Sequence, residues 1–245
     1  MKRVLSFGGG VQTTAMAILV AQGKIQCDEI VFADTGAEKP ETYWYMDNYT
    51  KPLFKELGIF FTTVTRKDGT LVDYCKRYRM IPEPQRRWCT HKGKIEPILK
   101  YIGEEAISLI GFSSDESHRA ERAKNKEHKL FPLIEMGIGF NDSLDIIKDY
   151  GWPIPLRSSC YFCPFQPYLE WNWLKREHPE LIQKCLELEE LYYNRRNDYP
   201  HLRHTYGLFG GKPLWKWVEG IQSEWEFPGE YSCYSGDCGH LGVEQ

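Results

Sequence analysis

The chain has 245 residues, 42% of them hydrophobic and 27% charged, and its 31 basic and 34 acidic side chains leave a formal charge of −3. That balance excludes a disordered or collagen-like chain and a broadly basic nucleic-acid binder, while leaving room for a local basic patch, and no apolar run approaches the roughly 20 residues needed to cross a bilayer. A chain of this length buries roughly 70–75% of its unfolded surface and needs no disulfide staple to hold a core.

In chain order, the opening MKRVLSFGGG is basic but has no apolar signal core or cleavage site, so the expected compartment is the cytoplasm, with no membrane partner. Residues 2–6 and 28–33 have the composition of short buried strands, and 13–23 that of a helix closed by a glycine. Together they form a βαβ unit with a right-handed crossover. Pro40 suits the first turn of a helix reaching about Leu57, with Gly58 as its stop. Residues 59–65 are β-rich, 94–101 helical, 106–111 a further buried strand and 113–124 a polar helix.

This alternation predicts an α/β fold with a doubly wound, mostly parallel sheet. Ligands of such sheets bind beyond the carboxyl ends of the strands, where 7–14, 34–41 and 111–122 fall. After about residue 140 the texture changes. Asn141 or Asp142 caps a helix ending near Gly151, and a Pro-rich connector follows. Helices are expected near 167–177 and 179–198, with a tryptophan-bearing one near Pro213 and a Gly-rich tail. The expected domains are 1–140, binding a nucleotide, and 141–245, a helical cysteine-bearing region packed on the first.

Ser6, Phe7, Gly8, Gly9, Gly10, Gln12, Thr13 and Thr14 lie where the first strand meets the first helix. Glycines let a backbone approach phosphate without a Cβ clash, and a helix N-terminus offers free N–H groups and a positive dipole end. Thr13 and Thr14 add hydroxyl donors. A tight turn alone would not call for three glycines. A Walker loop and a dinucleotide fingerprint are both missing here.

Asp34 follows a strand, which suits a group meeting a nucleotide or Mg²⁺ as well as a simple turn residue. Residues 76–94 carry seven basic side chains against one acid, a solvated loop for the most part. Arg87, Lys92 and Lys94 flank Cys89, the natural place for an anion. Arg119 and Arg122 lie three apart on one helix face, able to clamp phosphates or to pair with Glu116 or Glu121. His91, His118 and His240 lack zinc-helix spacing and read as polar contacts.

Cysteines stand at 27, 75, 89, 160, 163, 185, 233 and 238. Cys27 and Cys185 read as small buried hydrophobes. The pair Cys160 and Cys163 suits a metal, a cluster or redox chemistry in a reducing compartment. Zinc would want four N/S ligands, a redox dithiol the pair alone, and an iron–sulfur cluster Cys89 as well.

Taken in order, these segments resemble a known superfamily. SFGGGVQTTAM is similar to the PP-loop of the ATP-pyrophosphatases, usually SGGxDS, with Gly8 and Gln12 departing from the pattern. DTGAEKPETYWY, RWCTHKGKIEPI, GFSSDESHRAER and RSSCYFCPF resemble successive blocks of its phosphoadenylylsulfate (PAPS) reductase-like branch, nearest to iron–sulfur-bearing phage-type and DNA-phosphorothioation-type members. The resemblance runs over residues 4–165. It implies an adenine nucleotide, ATP or a sulfonucleotide, with Mg²⁺, held by the loop together with Asp34, Thr35, Gly36, Gly111, Arg119 and Arg122. It implies Asp34, Lys94 and Cys238 as catalytic groups. It also implies a 4Fe-4S cluster, or zinc as second choice, on Cys89, Cys160, Cys163 and Cys238, with Cys233 and then Cys75 as other fourth ligands. Cluster-bearing reductases have a Cys-Cys pair where this chain has Trp88-Cys89.

The segment Asp237-Cys238-Gly239-His240 is similar to the Glu-Cys-Gly-x-His tail whose cysteine attacks activated sulfate. The expected activity is therefore activation of a substrate by ATP, giving AMP and pyrophosphate, followed by sulfur transfer to an acceptor, a nucleic acid or a nucleotide. The alternatives are a sulfonucleotide reductase acting through Cys238 and a non-catalytic nucleotide-binding zinc module. The sulfur donor is left open, and a homodimer is admitted.

Overall fold

The computed structural model describes residues 1–84, 87–123, 126–198 and 207–220. In chain order these form β1 (Arg3–Phe7), α1 (Val11–Ala21), β2 (Glu29–Ala33), α2 (Pro40–Tyr45), α3 (Lys51–Glu56), β3 (Phe60–Val64) and α4 (Leu71–Tyr78). There follow α5 (Trp88–Thr90), α6 (Glu96–Ile102), β4 (Ile107–Ile110), α7 (Ser117–Glu121), β5 (Lys129–Leu130), α8 (Pro132–Glu135) and α9 (Phe140–Asp149). The last are α10 (Tyr168–Glu177), α11 (Pro179–Asp198) and α12 (Leu214–Val218). No helix among the described residues is long and apolar enough to cross a membrane.

Two compact units interleave along the chain. One comprises Met1–Asp34, Glu38–Thr65 and Gly93–Ser158; the other comprises Thr35–Ala37, Arg66–Lys92 and the described part of Ser159–Gln245. The sequence reading instead drew one boundary at residue 140.

The first unit is built on a five-stranded sheet in the order β3-β2-β1-β4-β5, every pair of it parallel. The doubly wound α/β expectation holds. Alternate residues point to opposite faces, and both faces are covered. Leu5, Phe7, Ile30 and Phe32 enter one cluster with Met16 and Leu19 of α1. Val4, Val31 and Ala33 enter another with Ile98 of α6. This two-sided burial explains why the strands read as continuous apolar runs. A third cluster locks α1 to α9 through Val11, Ala15, Ile18, Leu144 and Ile147.

The sequence predicts one unbroken helix over 40–57, but the chain widens into a π-turn at Met46–Thr50 before α3. The cause is Pro52, which has no N–H to donate and whose ring crowds the carbonyl four residues back. Pro97 does the same to α6, which is preceded by a π-turn at His91–Ile95. The helix expected over 113–124 is shorter, a 3₁₀ turn at Ser114–Glu116 leading into α7, and Lys124 lies outside the described residues. Gly139, not Asn141 or Asp142, is the N-cap of α9; Asp142 sits at the third helical position and accepts the Gly139 N–H at 2.7 Å.

The second unit packs α10, α11, α12 and α4 around Cys75, Phe162, Trp171, Leu174, Cys185, Tyr192, Phe209 and Leu214. Helix α4 has no counterpart in the sequence reading. Its start is nonetheless written as Thr70-x-x-Asp73, a reciprocal capping box in the structure. It ends where Arg79 takes the left-handed conformation, φ 48°.

Candidate functional site

In a doubly wound sheet the ligand crevice opens where the strand order reverses, here between β1 and β4. The residues just past these two strands are Gly8–Gly10 and Gly111. Gly9 has φ 74°, and a Cβ there would come within 2.8 Å of Thr42 Cγ2. A Cβ at Gly111 would meet Thr13 Cγ2 at 2.8 Å, so the end of β4 and the start of α1 approach closely. Gly8 differs. Its φ is not positive, and a Cβ there would lie 3.9 Å from Thr13 Oγ1, an ordinary contact. The protein itself does not require glycine at that position.

The loop is internally braced. Thr13 Oγ1 accepts the Gly8 N–H at 3.3 Å and donates to the Gly10 carbonyl at 3.2 Å, so this hydroxyl shapes the loop rather than standing free as a ligand donor. Thr14 N–H makes the first helical bond, to Gly10 O at 2.9 Å. The main-chain N–H groups before it in α1 come too early for an intrahelical partner. Thr14 is fully buried, and its Oγ1 has no hydrogen-bond partner among the described residues. Phe7 is likewise a core side chain, edge-on to Phe61 at 5.7 Å. Ser6 is half-buried within β1, paired with Val31 and Ile110.

Gln12 is buried, and its Nε2 lies 3.5 Å from Glu116 Oε2. Glu116 is also paired with Arg119, whose guanidinium lies 4.2 Å over the Phe112 ring. Arg119 is therefore committed to Glu116 and Phe112. Arg122 is exposed at the end of α7. The neighbouring Asp115 accepts the Phe140 N–H at 2.6 Å. One acidic block thus touches the glycine loop through Glu116 and anchors α9 through Asp115. Sequence reasoning had Glu116 only as a partner of Arg119; its position inside the GFSSDES block was the available signal.

Asp34 Oδ1 accepts the Tyr43 hydroxyl at 2.6 Å, and burial together with that carboxylate pushes the phenol far above its usual range. Lys94 pairs with the fully buried Glu38 at 2.8 Å. Thr35 and Gly36 belong to the second unit. The Thr35 carbonyl accepts the Leu71 N–H at 2.8 Å, and a Cβ on Gly36, φ 68°, would strike Thr70 at 2.4 Å. Both residues brace the start of α4, and Thr35 Oγ1 lies 3.4 Å from Cys160 Sγ.

The described cysteines fall into three groups. Cys27 is half-buried in the first unit rather than fully buried as the sequence suggested, packed against the sheet core with its Sγ 3.1 Å from the Glu29 carbonyl. Cys75 and Cys185 are core residues, the first pushed up to about 12 and the second well above its ordinary range, both chiefly by burial. Cys89, Cys160 and Cys163 are half-buried in the second unit. The two aromatic residues of Cys160-Tyr161-Phe162-Cys163 are buried in its core, and Cys163 N–H bonds the Cys160 carbonyl at 2.9 Å. The aromatics pin the turn and leave both thiols at its half-buried edge. Cys89 and Cys160 pack against the same core. Among the described residues no three His, Cys, Asp or Glu side chains converge to hold one metal ion. A cluster presents a separate iron to each thiolate, so its ligands need not converge in that way. Cys233, Cys238 and His240 lie outside the described residues.

The chain is 24% identical to the uncharacterized protein MJ0066 of Methanocaldococcus jannaschii, covering 87% of this chain and 45% of that one. It is 25% identical to MJ0973 of the same organism, covering 75% and 46%. The chain thus spans about half the length of the curated relatives it matches. Among solved structures, the U34-tRNA thiolase NcsA from Methanococcus maripaludis with its 4Fe-4S cluster is similar over 83% of this chain and 74% of that one, at 18% identity and a TM-score of 0.45. The family described as the phosphoadenosine phosphosulfate reductase domain matches residues 2–202. That stretch takes in the glycine loop, the acidic block at 115–116 and Cys89, Cys160 and Cys163, and the chain belongs to this family.

Proposed function

We propose that the chain is a PP-loop enzyme that activates a substrate with ATP and then transfers sulfur to it, the acceptor being a nucleic acid or a nucleotide. The observation that carries this reading is the glycine loop at the reversal of the sheet, where Gly8 is free of any steric demand from the protein. Backbone N–H groups of Gly8–Gly10 and the first turn of α1 bind the phosphates and stabilise the charge on the departing pyrophosphate. A substrate oxygen attacks the α-phosphorus, the bond to the β-phosphate breaks, and pyrophosphate leaves with the electron pair. A sulfur nucleophile from a donor then forms a bond to the activated atom, and AMP leaves with the oxygen. Mg²⁺ arrives with the phosphates, since it needs few protein ligands and keeps several waters.

The donor set of Cys89, Cys160 and Cys163, soft thiols at the edge of an apolar core, fits an iron–sulfur cluster. When bound, such a cluster supplies a thiophilic iron on which sulfur can be carried. These three cysteines would hold it, and the packing of Tyr161 and Phe162 would keep water from its inner side.

Conversion of ATP to AMP and pyrophosphate in the presence of acceptor is the expected result, and ADP as product would contradict the mechanism. The family description also favours a second reading, a sulfonucleotide reductase in which Cys238 attacks sulfur. Sulfite released from phosphoadenylylsulfate, and abolished in Cys238→Ser, would decide for it.

A further inference from the structure

The second unit carries a surface that neither the loop nor the cysteines explain. Residues 66–92 hold eight basic and three acidic side chains, a net +5 within a chain of net −3. Helix α4 lies in this segment. Its inner face buries Leu71 and Cys75, and a row of aromatic rings runs along the margin of that face. Tyr74 and Tyr78, one turn apart, have ring centroids 4.5 Å apart, and Tyr74 lies 5.2 Å from Trp88. The Arg66 guanidinium covers Tyr74 at 4.4 Å and is tied to the Lys92 carbonyl at 3.3 Å, so the middle of the row is fixed. The row ends in Tyr78, which is 48% exposed. Lys76 and Arg77, on the turn before it, are exposed, as is Lys67, and Arg77 donates to the Asp68 carbonyl at 3.4 Å.

An apolar partner would not call for the cations, and a duplex would not call for the ring. Cations spaced around an exposed aromatic terminus match a strand whose phosphates and unpaired bases are both accessible. The geometry points to a binding platform for single-stranded nucleic acid on α4, with a base stacked on Tyr78 and flanking phosphates on Lys76 and Arg77. In assigning this strand the part of acceptor, the inference rests on the sulfur-transfer reading; the binding itself does not.

The test is fluorescence anisotropy of the full chain, without ATP, using labelled 15-nucleotide oligouridylate, oligothymidylate and a mixed-sequence duplex. Single strands should bind more tightly than the duplex, and the ratio between the two oligomers tells RNA from DNA as the source. Tyr78→Ala should weaken binding by about 5- to 100-fold, and Tyr78→Phe should keep it. Lys76→Glu with Arg77→Glu should weaken it further and flatten its salt dependence by about 0.7 in the log–log slope for each phosphate left without its cation. Melting curves of each variant show whether it is folded.

No binding at low salt, preference for the duplex, or an unchanged affinity in folded Tyr78→Ala would overturn the platform. Loss of pyrophosphate release with strand binding intact would sink the sulfur-transfer reading and leave the platform standing.

Discussion

Gly9 and its neighbour Gly8 answer to different constraints. Gly9 sits at φ 74° with Thr42 against it, so Gly9→Ala should destabilise the fold itself by about 1–3 kcal/mol, read as a lowered midpoint in urea. Gln12 and Glu116 make a similar point. The superfamily pattern has Asp where this chain has Gln12, and here the neighbour at 3.5 Å is already a buried carboxylate. Two carboxylates at that distance cannot both ionise at low cost. Restoring the pattern with Gln12→Asp should therefore cost about 1–3 kcal/mol, and Glu116→Gln in the same chain should recover most of it. Additive losses in that double-mutant cycle would mean the two side chains do not interact. The glycine turn was legible in the sequence because three glycines in a row between an apolar run and a helical one mark a tight strand-to-helix connection. The Gln12–Glu116 contact was not, because it joins positions 104 residues apart and no local pattern encodes it.

At the scale of elements, buried runs and glycine stops placed β1, β2, β4, α10 and α11 within a residue or two of the structure. The misses have local causes. Pro52 and Pro97 widen turns that a 3.6-residue pattern treats as regular, and α4 is only eight residues long with two of them fully buried, too short for its periodicity to stand out. A further element-scale feature is the hold on α12. Glu189 of α11 is buried and accepts the N–H groups of Leu208 at 2.7 Å, Leu214 at 2.9 Å and Trp215 at 3.4 Å. Desolvation outweighs those three bonds and raises its carboxyl from 4.5 to about 7.

The unfolded chain gives up this proton near its ordinary value, the folded chain only near 7. The contribution of the protonated group is complete at low pH and declines as pH rises between the two values, by on the order of 3 kcal/mol. Urea unfolding at pH 5 and pH 8 should show this decline in the wild type and a smaller one in Glu189→Gln. Glu189→Ala should cost about 2–4 kcal/mol, since it strands buried N–H groups. An identical pH dependence in wild type and Glu189→Gln would refute this account.

For the whole molecule, the glycine loop belongs to one unit and Cys89, Cys160 and Cys163 to the other. Anaerobically purified protein should be brown, with about four irons per chain, and Cys160→Ser or Cys89→Ser should remove most of the iron and the colour. One zinc and no colour would favour a binding module instead. The central claim, that the glycine loop receives a nucleotide's phosphates, is tested most directly by ATP titration calorimetry with Gly8→Ala beside the wild type. The Cβ meets nothing closer than 3.9 Å within the protein, so the variant should unfold at the wild-type temperature yet bind ATP at least tenfold more weakly, because the methyl stands where a phosphate must lie. Equal affinity in the two proteins, or no binding by the wild type with Mg²⁺ present, would contradict the account.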